Sequence, residues 1–346
     1  MNLSFIFPML IFVFIAMPVL LLILRQLALK IGLVDVPNSR KIHLKAVPIA
    51  GGVALYLMAV ALLWVTNNVS SFSFHLVAAA GLVVLVGLLD DMFQLTALWR
   101  FIVQIMASLL VIYFTNEQLS TFGFLLYPDW DIQLGMLAIP VTVFGVVGII
   151  NALNMADGID GLAAMTFVSP VFVMALLAEQ NALRLWLLLL LVCVLIFVLF
   201  NKSTVYKVFL GDNGSLFLGF ILAWLLVYFS QGDQTHIATI KPVTALYLVA
   251  LPLYDTIFVM LKRIVNGVSP FKPDNSHLHH LFMAIGFTQT KTLFAMIFSQ
   301  IIMIGVGIIL LYSDIKEHYQ FYLFVFMSII YFCIMHKMWK NIKNSE

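Results

Sequence analysis

The chain has 346 residues, of which 63% are hydrophobic and only 10% charged, with a formal net charge of +2 and a mean hydropathy of +1.08. A soluble domain cannot hide that much apolar surface, and so weak a net charge gives no reason to expect a nucleic-acid partner. The composition predicts an all-α polytopic membrane protein, folded as a single transmembrane domain over residues 1–346.

A helix that crosses a bilayer needs about 20 mostly apolar residues. About eleven such segments follow one another, near residues 2–24, 47–66, 74–90, 98–115, 134–152, 163–178, 183–200, 215–230, 241–261, 292–313 and 319–336. The first is expected to remain as an anchor, because no basic segment precedes it and no small-residue cleavage site closes it. Short loops rich in Lys and Arg stay in the cytoplasm. With the N-terminus outside and the C-terminus cytoplasmic, fifteen of the eighteen Lys and Arg fall on the cytoplasmic side, leaving Arg184, Lys241 and Lys316 opposite. Cys193 and Cys333 lie within apolar segments, where a thiol acts as a small hydrophobe.

The expected cytoplasmic loops are 25–48, 90–97, 151–162, 201–214 and 262–290. The first contains VPNSRKIHLKAVPIAGG, in which Pro37 and Pro48 preclude a continuous helix. Its basic cluster of Arg40, Lys41, His43 and Lys45 satisfies the inside rule and could equally attract an anionic headgroup or phosphate. Lys41 neighbours the expected site entrance. The second carries LLDDMFQL, with Asp90 and Asp91 at the end of an apolar helix, where negative charge opposes the helix dipole and calls for a positive neighbour. Adjacent helical residues point about 100° apart, so the two carboxylates are expected to have different roles. The outside stretch 116–133 reads as solvated connection.

In GIINALNMADGIDGL, residues 148–162, Asn151, Asn154, Asp157 and Asp160 recur at a spacing of three. Each step of three turns a helical side chain back by about 60°, so one regular helix cannot aim all four inward. Gly158 and Gly161 supply the freedom for a break and let a phosphate or sugar approach the backbone. The stretch reads as a helix end lining a polar site, or else as a capped loop with Asp and Asn as turn formers.

FLGDNGS then places Asp212 between Gly211 and Gly214 at a helix start, where an Asp also serves as an ordinary cap. Asp255 lies inside an apolar segment, at a depth where a carboxylate must find a partner or protonate. Beyond Lys262 and Arg263 comes NGVSPFKPDNSHLHHLF, with His277, His279 and His280. Their spacing matches zinc sites poorly and suits donors to a phosphate or sugar, with Arg263 nearby. Carboxylates gathered at one membrane surface favour a hard cation, Mg²⁺ or Mn²⁺, bridging to substrate phosphates. Together these features point to phosphoryl transfer at the membrane surface. A cation-coupled transporter is the rival reading, but no internal repeat is evident and the carboxylates cluster at one surface rather than the midplane.

Five motifs, VPNSRKIHLKAVPIAGG, LLDDMFQL, NALNMADGIDGL, FLGDNGS and SPFKPDNSHLHH, run in order from Val36 to His280. On them the chain resembles the polyprenyl-phosphate N-acetylhexosamine-1-phosphate transferases of the glycosyltransferase 4 (MraY-like) superfamily. Its His-x-His-His form is similar to the WecA and TagO branch rather than the MraY branch with its run of adjacent histidines. The resemblance implies a multi-pass protein of the bacterial cytoplasmic membrane whose substrates are UDP-GlcNAc and undecaprenyl phosphate, with Mg²⁺ or Mn²⁺ as cofactor. Another UDP-N-acetylhexosamine donor, and a homodimer, are compatible with it. By motif match, Asp90, Asp91, Asp157 and Asp160 would be catalytic, and Asp212 with Asp91 would hold the metal. Lys41, Asn151, Asn154, Arg263, His277, His279 and His280 would bind substrate.

Overall fold

The computed structural model describes residues 3–35, 46–67, 70–232, 236–270 and 276–345. Its backbone is almost wholly helical: α1 Leu3–Ile31, α2 Gly51–Val65, α3 Ser71–Phe93, α4 Ala97–Thr115, α5 Ala138–Ala156, α6 Leu162–Leu177, α7 Asn181–Lys202, α8 Gly211–Ser230, α9 Pro242–Leu248, α10 Ala250–Val265, α11 Leu278–Ala284, α12 Gln289–Leu311 and α13 Glu317–Ser345. The one sheet among the described residues pairs β1 (Val34–Asp35) antiparallel with β2 (Val47–Pro48).

Every apolar segment expected from the sequence falls on a helix, and the chain is a multi-pass membrane protein. The count differs from eleven. Among the described residues, eight helices are long and apolar enough to cross a membrane, and a ninth span results if α9 and α10 are counted together. These two meet at a 78° bend. The helices α2 and α6 have 15 and 16 residues, which at 1.5 Å per residue gives about 22–24 Å. That is short of a hydrocarbon core of about 30 Å. For α2 the apolar run begins earlier than the helix, because Val47–Pro48 pair with β1 and Ala50 bonds to the Phe209 carbonyl, which composition alone could not reveal.

The bundle is organised around α8, buried at every position from Asn213 to Ser230. A helix apolar on all sides needs neighbours on all sides, and α2, α3, α5 and α6 surround it. Close approach requires small residues at the crossings. Gly87 of α3 lies against the backbone of Asn213, Gly52 of α2 against that of Gly214, and Gly219 of α8 against that of Ile150 in α5. After β2 the chain docks on the loop before α8: Ala50 and Gly51 donate their amides to the Phe209 carbonyl at 3.3 and 3.0 Å. The start of α8 is thereby held from three directions.

At the far end of α8, the stretch 116–133 is more than solvated connection. Gln231 accepts through Oε1 from the amide of Ser120 at 3.0 Å and donates through Nε2 to the Thr121 carbonyl at 3.2 Å, while Glu117 is buried. Its polar side chains satisfy a backbone that folds back over helix ends, which a composition-based reading cannot distinguish from solvation.

Candidate active site

The first turn of α8 carries Asp212 and presents unsatisfied backbone N–H groups, as every helix start does. Asp91 from the end of α3 accepts three of the available hydrogens: from the amides of Asp212 at 2.9 Å and Asn213 at 3.1 Å, and from Asn213 Nδ2 at 2.5 Å. A carboxylate offers about four lone-pair sites, so Asp91 is largely committed to capping α8. Its neighbour Asp90 points elsewhere. It is buried and accepts from Arg100 Nη1 at 2.9 Å, and the same nitrogen lies 3.6 Å from Asp212 Oδ2. Arg100, in the first turn of α4, is the positive neighbour that the Asp90–Asp91 pair called for.

Asp212 stands more open, with 37% of its side-chain surface accessible. Asn154 donates through Nδ2 to Asp212 Oδ1 at 2.7 Å and to Ser215 Oγ at 2.8 Å, tying the end of α5 to the start of α8. The helix α5 breaks at Asp157, whose ψ of 55° leaves the helical region, and Gly161 starts α6 at a φ of +83° that only glycine takes readily. Between them, Asp160 accepts from Lys207 Nζ at 2.5 Å, and that ammonium also lies 5.2 Å from the centre of the Phe209 ring. Asp157 is exposed, and three further carboxylates stand near it. Desolvation, followed by the charges of Asp212, Asp160 and Asp91, pushes its pKa up to about 8.

The histidine segment closes over this turn. His279 is buried, its ring packed so tightly on Gly158 that a β-carbon there would lie 2.6 Å from Cε1. Burial, then the neighbouring His280 and His277, pushes its pKa down to about 3, so the ring is neutral. Neither ring nitrogen of His279 has a hydrogen-bond partner among the described residues. His277 stacks parallel to His279 at 5.9 Å and donates through Nδ1 to Asp255 Oδ2 at 2.7 Å, and the His280 ring lies 4.1 Å from that of His279. Arg263 is buried and donates through Nη1 to the Pro270 carbonyl at 2.6 Å.

The structure thus gathers Asp90, Asp91, Asp157, Asp160, Asp212, Asn154 and the three histidines at one end of the bundle. Asn151 is not with them. It donates to the Val147 carbonyl and, at 2.8 Å, to Gln104 Oε1 of α4, a helix-to-helix bond within the bundle. At a spacing of three, Asn151 and Asn154 are rotated apart by about 60°, and only the latter reaches α8. Lys41 lies outside the described residues. Arg100 and Lys207 were missed because the inside rule already accounted for every cytoplasmic cation; the unbalanced Asp90–Asp91 pair was the one signal that could have found Arg100.

No three His, Cys, Asp or Glu among the described residues stand at ligand geometry for a metal. The donor chemistry nonetheless fits a hard cation, because Mg²⁺ is commonly held by one or two carboxylates together with substrate phosphates and water. Asp212, with 37% of its side chain accessible, and the exposed Asp157 are open carboxylates here, and the charges of Asp212, Asp160 and Asp91 add to desolvation in raising the pKa of Asp157.

Residues 73–230 match the family model described as glycosyl transferase family 4. An undecaprenyl-phosphate alpha-N-acetylglucosaminyl 1-phosphate transferase of Escherichia coli is 33% identical over 98% of this chain and 94% of its own length. The protein of that name from Yersinia pestis is 35% identical over the same shares. A probable undecaprenyl-phosphate N-acetylglucosaminyl 1-phosphate transferase of Bacillus subtilis is 34% identical over 77% of this chain and 74% of its own. With about a third of its residues identical to such proteins over nearly its whole length, the chain belongs to glycosyl transferase family 4, alongside the undecaprenyl-phosphate N-acetylglucosaminyl 1-phosphate transferases.

Proposed function

We propose that the protein transfers GlcNAc-1-phosphate from UDP-GlcNAc to undecaprenyl phosphate, giving undecaprenyl-diphosphate GlcNAc and UMP, at the cytoplasmic face of a bacterial inner membrane. The observation that carries this reading is the array of Asp90, Arg100, Asp212 and Asn154 at the rim of an apolar bundle, linked by contacts of 2.9, 3.6 and 2.7 Å. A lipid phosphate can reach such a rim from the bilayer and a nucleotide sugar from the water. The orientation that suits it puts the N-terminus outside, with the short helices α2 and α6 as further passes.

In this reaction an oxygen of the lipid phosphate bonds to the β-phosphorus of the donor, and the bond from that phosphorus to the UMP oxygen breaks. Two phosphates must first be brought together, and two unit charges about 4 Å apart repel by about 4 kcal/mol at an effective dielectric of 20. Arg100 offsets this, and the sequence around Lys41, with Arg40 and Lys45, adds positive charge. Asp90 orients the attacking phosphate or takes its proton, and Arg100, paired with it at 2.9 Å, holds it in place. Asp212, with Asp157 beside it, would hold Mg²⁺ or Mn²⁺, which would supply positive charge to neutralise the phosphates. Asn154 aims Asp212, and Asp160 and Lys207 brace the turn that carries Asp157. Arg263 and the histidines face the sugar diphosphate, with the neutral His279 offering one donor and one acceptor to hydroxyl or amide groups.

Tight packing of His279 on Gly158 leaves little room for a bulky lactyl-peptide substituent. Purified protein given undecaprenyl phosphate with UDP-GlcNAc, UDP-GalNAc or UDP-MurNAc-pentapeptide tests the reading. Turnover of UDP-GlcNAc and rejection of the peptide donor are expected. Preferred use of the peptide donor, or no lipid-linked product from any donor, would overturn it.

A further inference from the structure

Asp255 sits on α10, near the bend between α9 and α10, and is buried. Among the described residues it accepts three hydrogen bonds: from the Leu278 amide to Oδ1 at 2.8 Å, from the Tyr331 hydroxyl to Oδ1 at 3.0 Å, and from His277 Nδ1 to Oδ2 at 2.7 Å. Such a partner set suits an ionised carboxylate, which can only accept. It also fixes the proton of His277, because an imidazole facing a carboxylate through Nδ1 must carry hydrogen there. The short helix α11 has only seven residues and no capping bond from its own N-cap side chain. An isolated helix of that length is unstable, so the cap that Asp255 supplies through Leu278 N comes from another helix and fixes where α11 begins.

A second grip lies one residue back. Trp339 of α13 donates through Nε1 to the Ser276 carbonyl at 3.0 Å, and Lys262 donates to Ser276 Oγ at 2.8 Å while lying 4.7 Å from the centre of the Trp339 ring. Residues 276–278 are therefore clasped between α10 and α13, and His279 is carried from there onto Gly158. Tyr331 and Trp339 lie two turns apart on α13, far in sequence from every motif discussed above.

We propose that Asp255 is the positioning residue of the histidine segment and that the C-terminal helix α13, through Tyr331 and Trp339, completes the sugar-diphosphate site. This inference rests on the reading that the histidine segment binds the donor. It requires α13 for function even though that helix supplies no group to the reacting phosphates.

The test uses the full-length protein in detergent with Asp255→Asn, Tyr331→Phe and Trp339→Phe. The last two remove one hydrogen bond each and preserve folding if Asp255→Asn does not. Nitrogen-15 histidine spectra report the His277 tautomer, assigned with His277→Gln. Turnover gives KM for UDP-GlcNAc apart from kcat. For Asp255→Asn we expect loss of the Nδ1–H signal, since the amide no longer accepts as a carboxylate does, and a KM raised about tenfold with a smaller change in kcat. Tyr331→Phe and Trp339→Phe should raise KM about two- to fivefold, and by less than an additive amount when Tyr331→Phe is combined with Asp255→Asn. An unchanged His277 signal in folded Asp255→Asn, or wild-type KM in all three variants with only lowered melting temperature, would overturn the positioning role. A wild-type protein that turned over no UDP-GlcNAc while Asp255→Asn still altered the His277 signal would instead overturn the donor reading.

Discussion

Gly87→Ala tests how the site is held without touching any group in it. A β-carbon at position 87 would stand 2.6 Å from Asn213 N and 3.0 Å from Asp212 C, closer still to Asn213 Cα, and all of these are backbone atoms that cannot swing aside. Carbon contacts relax at about 3.5–4.0 Å, so α3 and the start of α8 must part by roughly 1 Å. Overpacking of this kind costs about 1–3 kcal/mol of stability. The same displacement stretches the bonds from Asp91 to the amides of Asp212 and Asn213, now 2.9 and 3.1 Å, and moves Asp212 relative to Asp90. A misplacement of about 1 Å can lower a rate by about 10²-fold. Transfer from UDP-GlcNAc to undecaprenyl phosphate should therefore fall by about that factor, with a lower melting temperature. Gly305→Ala is the control, since among the described residues nothing lies within 4 Å of a β-carbon there. A Gly87→Ala protein with wild-type rate and melting temperature, or a Gly305→Ala protein equally impaired, would refute the idea that close packing of α3 on α8 sets the position of Asp212.

Asp212→Asn should abolish Mg²⁺-dependent transfer with little change in melting temperature, because an amide oxygen still accepts from Asn154 Nδ2; retained activity and metal dependence would reduce Asp212 to a helix-start residue. Arg100→Gln leaves the buried Asp90 without its cation, and losing one partner of a buried pair costs about 3–5 kcal/mol. Since Arg100 is a quarter exposed, the lower end or less is expected, with activity lost and partly restored by Arg100→Lys; equal activity of the Gln and Lys variants would count against the role. Asp157, its pKa raised from 3.8 to about 8, holds a proton in the folded protein over a pH range where the unfolded chain has lost it. Its contribution to stability thus declines as pH rises through that window. In chelator, Asp157→Asn should raise the melting temperature more at pH 8.5 than at pH 5; equal shifts at the two pH values would show that this carboxyl is not under the strain of its neighbours.

The sequence by itself determined the membrane class, most of the helical segments and most of the polar residues that gather at one end of the bundle, because hydropathy and turn chemistry are properties of a residue and its near neighbours. The break between α5 and α6 was legible for that reason: Asn and Asp at a spacing of three cannot share a face, and Gly161 marks the left-handed turn where the chain reverses. Partner choice was not legible. Asp90 and Asp91 are adjacent and identical, yet one takes Arg100 and the other caps α8, and Asn151 and Asn154 part company in the same way. Asp255 had no visible partner until α11 and α13 were laid beside it. Each of these distinctions depends on where helices far apart in sequence cross, and on a rotation of 60° or 100° about their axes. Such crossings are set by the small residues packed around α8, and only the assembled bundle fixes which side chain each crossing brings into reach.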